Sequence, residues 1–141
     1  MKILNILTGK RRLGNFGENA AARLLKKKGY KILERSFVAE GREIDIIAKN
    51  KECLVFVEVK TRDINKLSKN EARPISSVTR DKQQGIIRAA WSYIENCGRD
   101  NKHIRLDCVE VFTVKRDGKD VLHSIKHIEG AFNFNTAFGR R

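Results

Sequence analysis

The run Leu54-Val55-Phe56-Val57 passes without a break into Glu58-Val59-Lys60-Thr61, so a carboxylate and an ammonium stand inside a stretch built for burial. Val55, Val57 and Val59 occupy one face of an extended chain, and Leu54 and Phe56 the other. Apolar residues on both faces mark a central strand, covered above and below. Glu58 and Lys60 share a face, roughly 6–7 Å apart along the strand. A buried charge without a partner costs several kcal/mol. Whatever fold this chain adopts must therefore bring polar partners, or a ligand, to the middle of its sheet.

The neighbouring segments predict how. Glu43-Ile44-Asp45-Ile46-Ile47-Ala48 reads as a strand joined to the central one through a turn at Asn50-Lys51, an antiparallel hairpin. Asp45 and Glu58 then converge, with Glu43 two residues earlier on the face of Asp45. Upstream, Asn15 with Glu18 three residues on predicts a capped helix start. This helix runs through Ala20 to Lys28 and stops at Gly29. A strand follows over Tyr30–Val38, with a turn at Gly41. Downstream, a second helix spans Thr79–Cys97, with Ile86, Ile87, Ala90 and Ile94 as its apolar face. Strands Ile104–Val114 and Val121–Ile128 meet at an Asp117-Gly118 turn. Phe132, Phe134 and Phe138 follow without a clear period. At 141 residues one domain is expected. The predicted fold is α/β: a mixed five-stranded sheet flanked by helices, in the order helix, three strands, helix, two strands. Its expected limits are 14–132, between a basic segment, 1–13, and a tail, 133–141.

Charge narrows the partners. Thirty Lys and Arg against 17 Asp and Glu leave a net charge of +13, which attracts polyanions, nucleic acid foremost. No apolar span or basic amphipathic helix with aromatic anchors points to a membrane. Met1–Leu7 is interrupted by Asn5 and followed by Lys10-Arg11-Arg12, the wrong order for a signal peptide. Three widely spaced cysteines, without a C-x-x-C, fit a reducing compartment, and the cytoplasm is expected. His123 and His127, roughly 13 Å apart if extended, are expected to be surface histidines rather than a metal pair. The polar stretch 62–78 is longer than an ordinary loop and holds the only proline, Pro74. With the helix start after it, this stretch offers Arg62, Lys66, Lys69, Arg73, Arg80 and Lys82 to a phosphate backbone.

Two converging carboxylates repel unless a cation or a proton intervenes. A hard ion such as Mg²⁺ (or Mn²⁺) binds through carboxylate oxygens and water and leaves positions for a phosphate. Lys60 beside it can orient water or stabilise developing charge, the requirements of metal-assisted phosphodiester hydrolysis. Ordinary ion pairs explain Glu58 and Lys60 equally well from spacing alone. Glu18 is accounted for as a cap, yet it lies on the helical face of Ala21, Ala22 and Leu25. Lys82 falls in line with Ile86, Ala89 and Tyr93, and Gln83 with Ile87, Ala90 and Ile94, in a first turn whose dipole favours phosphate. Gly85 costs that helix about 1 kcal/mol against Ala, as a close backbone approach would require. Asp107 either adds a carboxylate or pairs with Arg105.

Gly14-x-x-Gly17-Glu18 with Ala21-Ala22, Gly41-Arg42-Glu43-Ile44-Asp45-Ile46-Ile47-Ala48 and Val55-Phe56-Val57-Glu58-Val59-Lys60-Thr61-Arg62 together resemble the YraN family of bacterial proteins. Val78-Thr79-x-x-Lys82, Arg105-Leu106-Asp107 and Ala131-Phe132 continue the resemblance, in order from about Gly14 to Phe132. That family is similar in pattern to archaeal Holliday-junction resolvases and other PD-(D/E)XK enzymes. The resemblance implies a restriction-endonuclease-like fold and an active set of Glu18, Asp45, Glu58 and Lys60, with Lys82 supporting. Glu18, Asp45 and Glu58 would be the metal ligands. Glu43 and Gln83 join Lys82 as supporting residues. Arg42 stands where the family often has a second Gly, and Leu106 where Phe is usual; neither is expected to touch the site. The expected function is a metal-dependent endonuclease, or nuclease-like DNA-processing protein, acting on branched or flapped DNA. The rival is a non-catalytic nucleic-acid-binding module on the same fold. The sequence leaves room for a homodimer without choosing an oligomeric state.

Overall fold

Leu54, Val55, Phe56 and Val57 are each at most 2% exposed, and the strand they belong to is the middle one of five. The computed structural model describes residues 8–66 and 79–133. Helix α1 (Thr8–Lys27) leads into strands β1 (Lys31–Ala39), β2 (Arg42–Lys49) and β3 (Cys53–Asp63). A 3₁₀ turn (Ile64–Lys66) follows, then helix α2 (Arg80–Cys97) and strands β4 (His103–Arg116) and β5 (Lys119–Phe132). The strands lie in chain order, β1-β2-β3-β4-β5. β3 and β4 run parallel, from Cys53 opposite His103 to Asp63 opposite Thr113, and the other pairs are antiparallel. This is the mixed five-stranded α/β sheet read from the sequence.

Alternation along β3 divides the core into two layers. Leu54 and Phe56 face α2, packing with Ile86, Ile87 and Tyr93. Val55 and Val57 face α1, packing with Ala21, Ala22 and Leu25. The three alanines at 20–22 let α1 lie close to the sheet. α2 is capped at both ends: Thr79 Oγ1 accepts the Lys82 N–H at 3.1 Å, and Gly98, at φ 77°, donates its N–H to Ile94 O at 2.7 Å. In the β2–β3 turn, Asn50 Oδ1 accepts the N–H groups of Glu52 and Cys53. No helix among the described residues is long and apolar enough to cross a membrane.

Three expectations need correction. α1 begins at Thr8, so Asn15 and Glu18 are interior and form no capping box. An Asn-x-x-Glu spacing is a local signal, and residues 8–13 continue the helix straight through it. β5 runs past Ile128 to Phe132, which is buried opposite Leu106. A register shift between Leu106 and Cys108 hides that continuation from a period-two reading. His127 is not a surface residue: its side chain is 3% exposed, with Nε2 lying 2.8 Å from Asp107 Oδ2. His123 is exposed as expected.

Asp107 explains both the shift and the histidine. It is fully buried and takes two guanidinium bonds from Arg105 at 2.8 and 2.9 Å. The Gly130 N–H reaches it at 3.0 Å from the irregular part of β5, where Gly130 adopts φ 63°. Burial alone would raise the carboxyl's pKa, but bonds from His127, Arg105 and Gly130 hold it below its ordinary value. Arg105 also donates to the Tyr30 hydroxyl, tying β4 to the end of α1. Asp107 therefore pairs with its arginine and stands outside the candidate site. Asp107→Ala strands a guanidinium in a covered position and is expected to lower stability by about 3–5 kcal/mol, measured by urea denaturation. A loss under about 1 kcal/mol would show that this network is incidental.

Candidate metal and phosphate site

The β2–β3 ladder runs from Lys49 opposite Leu54 to Ile46 opposite Val57 and ends there. At the next position the Asp45 carboxylate takes over: Oδ2 accepts the Val59 N–H at 2.7 Å. A side chain thus replaces a backbone carbonyl, and the donor on β3 stays satisfied while the strands part. β2 buckles at the same place. Ile44 packs on the α2 side and Ile46 on the α1 side, although regular alternation would put both on one face. On β1, Ser36, between the partners of Ile46 and Ile44, takes φ 54°.

Side chains from both layers meet at this opening. Carboxylate oxygens of Glu18, Glu43 and Asp45 lie within 4.8 Å of one another. Glu18 comes from α1, whose approach is set by Gly17: a Cβ there would collide with the Thr61 side chain of β3. Arg35 sits 3.5 Å from Glu18. From the α2 side, Lys82 Nζ lies 2.7 Å from Glu58 Oε2, and Lys60 Nζ lies 3.5 Å from the same oxygen.

The electrostatics follow from burial and crowding. Asp45 forms no salt bridge with a described residue. Burial, then the Glu58 charge, pushes its pKa up to about 8 against the opposing Val59 bond, with Glu18 and Glu43 adding to the rise. Burial raises Glu18 as well, opposed by Arg35. Lys60 is lowered by burial despite Glu58. Burial also pulls Lys82 down, but its hydrogen bond and charge interaction with Glu58 prevail and raise it.

Glu18, Glu43 and Asp45 thus come together, whereas Glu58, expected to converge with Asp45, is not part of that cluster and turns its carboxylate to the two lysines. Gln83 occupies the first turn of α2, where its N–H meets Thr79 O. Arg62 is half-buried on β3, whereas Lys66 and Arg80 are exposed. Lys69 and Arg73 lie outside the described residues. Arg42 stands beside the first turn of α2. Its guanidinium bonds Asp81 at 2.8 Å, and its side chain fills the space a Cβ on Gly85 would need. Two residues escaped the sequence reading. Arg35, an unremarkable strand cation, carries no signal. Glu110 does: like Glu58 it interrupts an apolar strand. It stands opposite Lys60 on β4, 3% exposed, with one carboxylate oxygen buried without a hydrogen-bond partner among the described residues.

Two helices on a mixed sheet, with an acidic cluster and two lysines where the sheet opens, define an α/β domain of one recognisable pattern. The chain belongs to the uncharacterised protein family UPF0102, whose model matches residues 17–111, a span that includes Glu18, Asp45, Glu58, Lys60 and Lys82. This is the family its YraN-type motifs resemble. It is 40% identical over 132 residues to a UPF0102 protein of Desulfosudis oleivorans, covering 94% of this chain and 98% of the relative. A UPF0102 protein of Caldanaerobacter subterraneus subsp. tengcongensis is 42% identical over 123 residues, covering 87% and 96%.

The donor set suits a hard divalent cation, being carboxylate oxygens without imidazole or thiolate. The crowding of Asp45 can be tested without a ligand. A carboxyl raised on folding contributes stability that is fully present below about pH 4. That contribution is lost as pH rises through about 8. In EDTA, the melting temperature of wild type should fall between about pH 4 and 8 more steeply than that of Asp45→Asn. The variant should melt at an equal or higher temperature at the alkaline end, since Asn keeps an acceptor for Val59. A variant destabilised there would identify Asp45 as the counter-ion of a buried cation.

Proposed function

We propose that this protein is a Mg²⁺- or Mn²⁺-dependent endonuclease, or nuclease-like DNA-processing protein, which hydrolyses phosphodiester bonds, on branched or flapped DNA in particular. The observation that carries the reading is Asp45: a crowded carboxylate with no salt bridge to a described residue, raised by burial and by Glu58, at a gap in the sheet beside two lysines. Structural ion pairs do not leave the central carboxylate without its cation. Asp45, Glu58 and Glu18 would hold the ion, and Glu43 would complete the acidic wall. The ion would supply Lewis acidity and a more acidic bound water. Lys60, lowered by burial, is suited to orient the attacking water and to meet charge developing on phosphate. Lys82 and Gln83, in the first turn of α2, would position a phosphate where the helix dipole favours it. Arg62, Lys66, Lys69, Arg73 and Arg80 would hold the flanking backbone. Three free cysteines fit a place in the cytoplasm.

The rival reading, a non-catalytic nucleic-acid-binding module, draws on one observation: Glu58 is already matched by Lys60 and Lys82. Cleavage assays over linear, flap and four-way-junction DNA with Mg²⁺ or Mn²⁺ separate the two. Asp45→Ala, Glu58→Ala and Lys60→Ala should each slow cleavage at least ~100-fold. Unchanged rates in folded variants would remove these residues from the chemistry, and no cleavage on any substrate would favour the module.

Either reading expects binding that weakens steeply with salt, given a net charge of +13. Replacing Arg62, Lys66, Lys69, Arg73 or Arg80 by Ala should reduce the salt slope, measured by fluorescence anisotropy, by about one for each phosphate no longer neutralised. Salt-insensitive binding would contradict both.

A further inference from the structure

The 2.7 Å contact between Lys82 and Glu58 occupies the carboxylate that the proposed reaction assigns to the metal. Glu58 is 6% exposed, whereas the Lys82 side chain is 34% exposed and reaches the site from a different element. The first turn of α2 is held independently of that contact, by the Thr79 cap and by Arg42 bonded to Asp81 and packed over Gly85. Its backbone can stay in place while a flexible four-carbon side chain changes partner. Lys60 differs. It belongs to the strand of Glu58 and stays beside it whatever Lys82 does.

Charge supplies the reason to move. Glu18, Glu43, Asp45 and Glu58 face Arg35, Lys60 and Lys82, a near balance without a metal. A divalent ion turns that balance positive and places Lys82 against a like charge at a few ångströms. A phosphate at the N-terminus of α2, already favoured by the dipole, then becomes the better partner for the lysine.

We propose that Lys82 is an exchangeable internal counter-ion, which neutralises Glu58 while the site lacks a divalent ion and turns to a nucleic-acid phosphate when the ion takes Glu58. Ion and phosphodiester backbone then bind with positive coupling, each tightening the other by the same factor. Metal loading and substrate capture become one step, and the metal-free protein avoids exposing bare carboxylates to a polyanion. The inference rests on the reading of Glu58 as a metal ligand.

The test measures binding, without turnover. Mn²⁺ affinity is determined by titration calorimetry for wild type, Lys82→Met and Lys82→Arg. Affinity for a phosphorothioate DNA duplex is determined with and without Mn²⁺. Wild type should bind DNA about 5-fold or more tightly when Mn²⁺ is present. Lys82→Met removes the competitor, so it should bind Mn²⁺ alone about 10-fold more tightly than wild type and forfeit most of the coupling. Lys82→Arg, with a two-pronged grip on Glu58, should bind Mn²⁺ alone more weakly. These opposite shifts cannot both arise from damaged folding. Unchanged or weaker Mn²⁺ binding by Lys82→Met, or full coupling retained in it, overturns the counter-ion role while leaving the metal site standing. Absent Mn²⁺ binding in wild type, or binding indifferent to Asp45→Asn, overturns the metal reading itself.

Discussion

The hydrogen bond from Val59 N–H to the Asp45 carboxylate is the contact on which the site depends. A five-stranded sheet with helices on both sides has no natural opening, because every central backbone group seeks a neighbour on the next strand. Asp45 ends the β2–β3 ladder by supplying the missing acceptor from its side chain, so the sheet opens without an orphaned donor. The opening lies at the boundary between the two core layers, which is why α1 can deliver Glu18 and α2 can deliver Lys82 to one place. Neither helix alone could assemble such a set. The arrangement needs the separation of the strands and the close seat of α1 on Thr61 that Gly17 allows.

The electrostatic consequence is a site that works against the fold. Asp45 is raised by burial and by its neighbours, and Glu18 by burial, so in the metal-free protein both carboxylates oppose folding at alkaline pH. The Asp107 network, opposite Val57 on β4, shows how this sheet treats a structural carboxylate. There a fully buried aspartate is lowered, matched by a guanidinium, an imidazole and a backbone amide. One sheet therefore carries both a satisfied anion that joins strands and a crowded one without a salt bridge to a described residue. Functional sites are where such unfavourable groups concentrate.

Most of the fold was legible because the apolar runs are long and their periods clean. Leu54–Val57 marks the central strand, and Ile86, Ile87, Ala90 and Ile94 mark α2. Glu58 and Lys60 were legible for the opposite reason, as charges interrupting a buried run. Glu110 carries the same signal. The failures have physical causes. A capping spacing at Asn15 is local and gave no view of the helix beginning at Thr8. The irregular register opposite Asp107 concealed both the length of β5 and the burial of His127. Arg35 could not be foreseen because its partner, Glu18, lies on another element and the two meet only through tertiary packing.

Arg42 illustrates what a departure from a family pattern can accomplish. A glycine at this place would have no side chain to bond Asp81 or to cover Gly85. Here the arginine joins Asp81 and lies across Gly85, so the first turn of α2 is fixed to the strand that carries Glu43 and Asp45. An exposed ion pair of this kind contributes at most about 1 kcal/mol to stability. Its geometric consequence is larger than its energy. It fixes the turn from which Lys82 reaches Glu58. Gly85 and Arg42 are thus complementary: the glycine removes the obstacle, the arginine fills the space, and the first turn of α2 is held to the strand that carries Glu43 and Asp45.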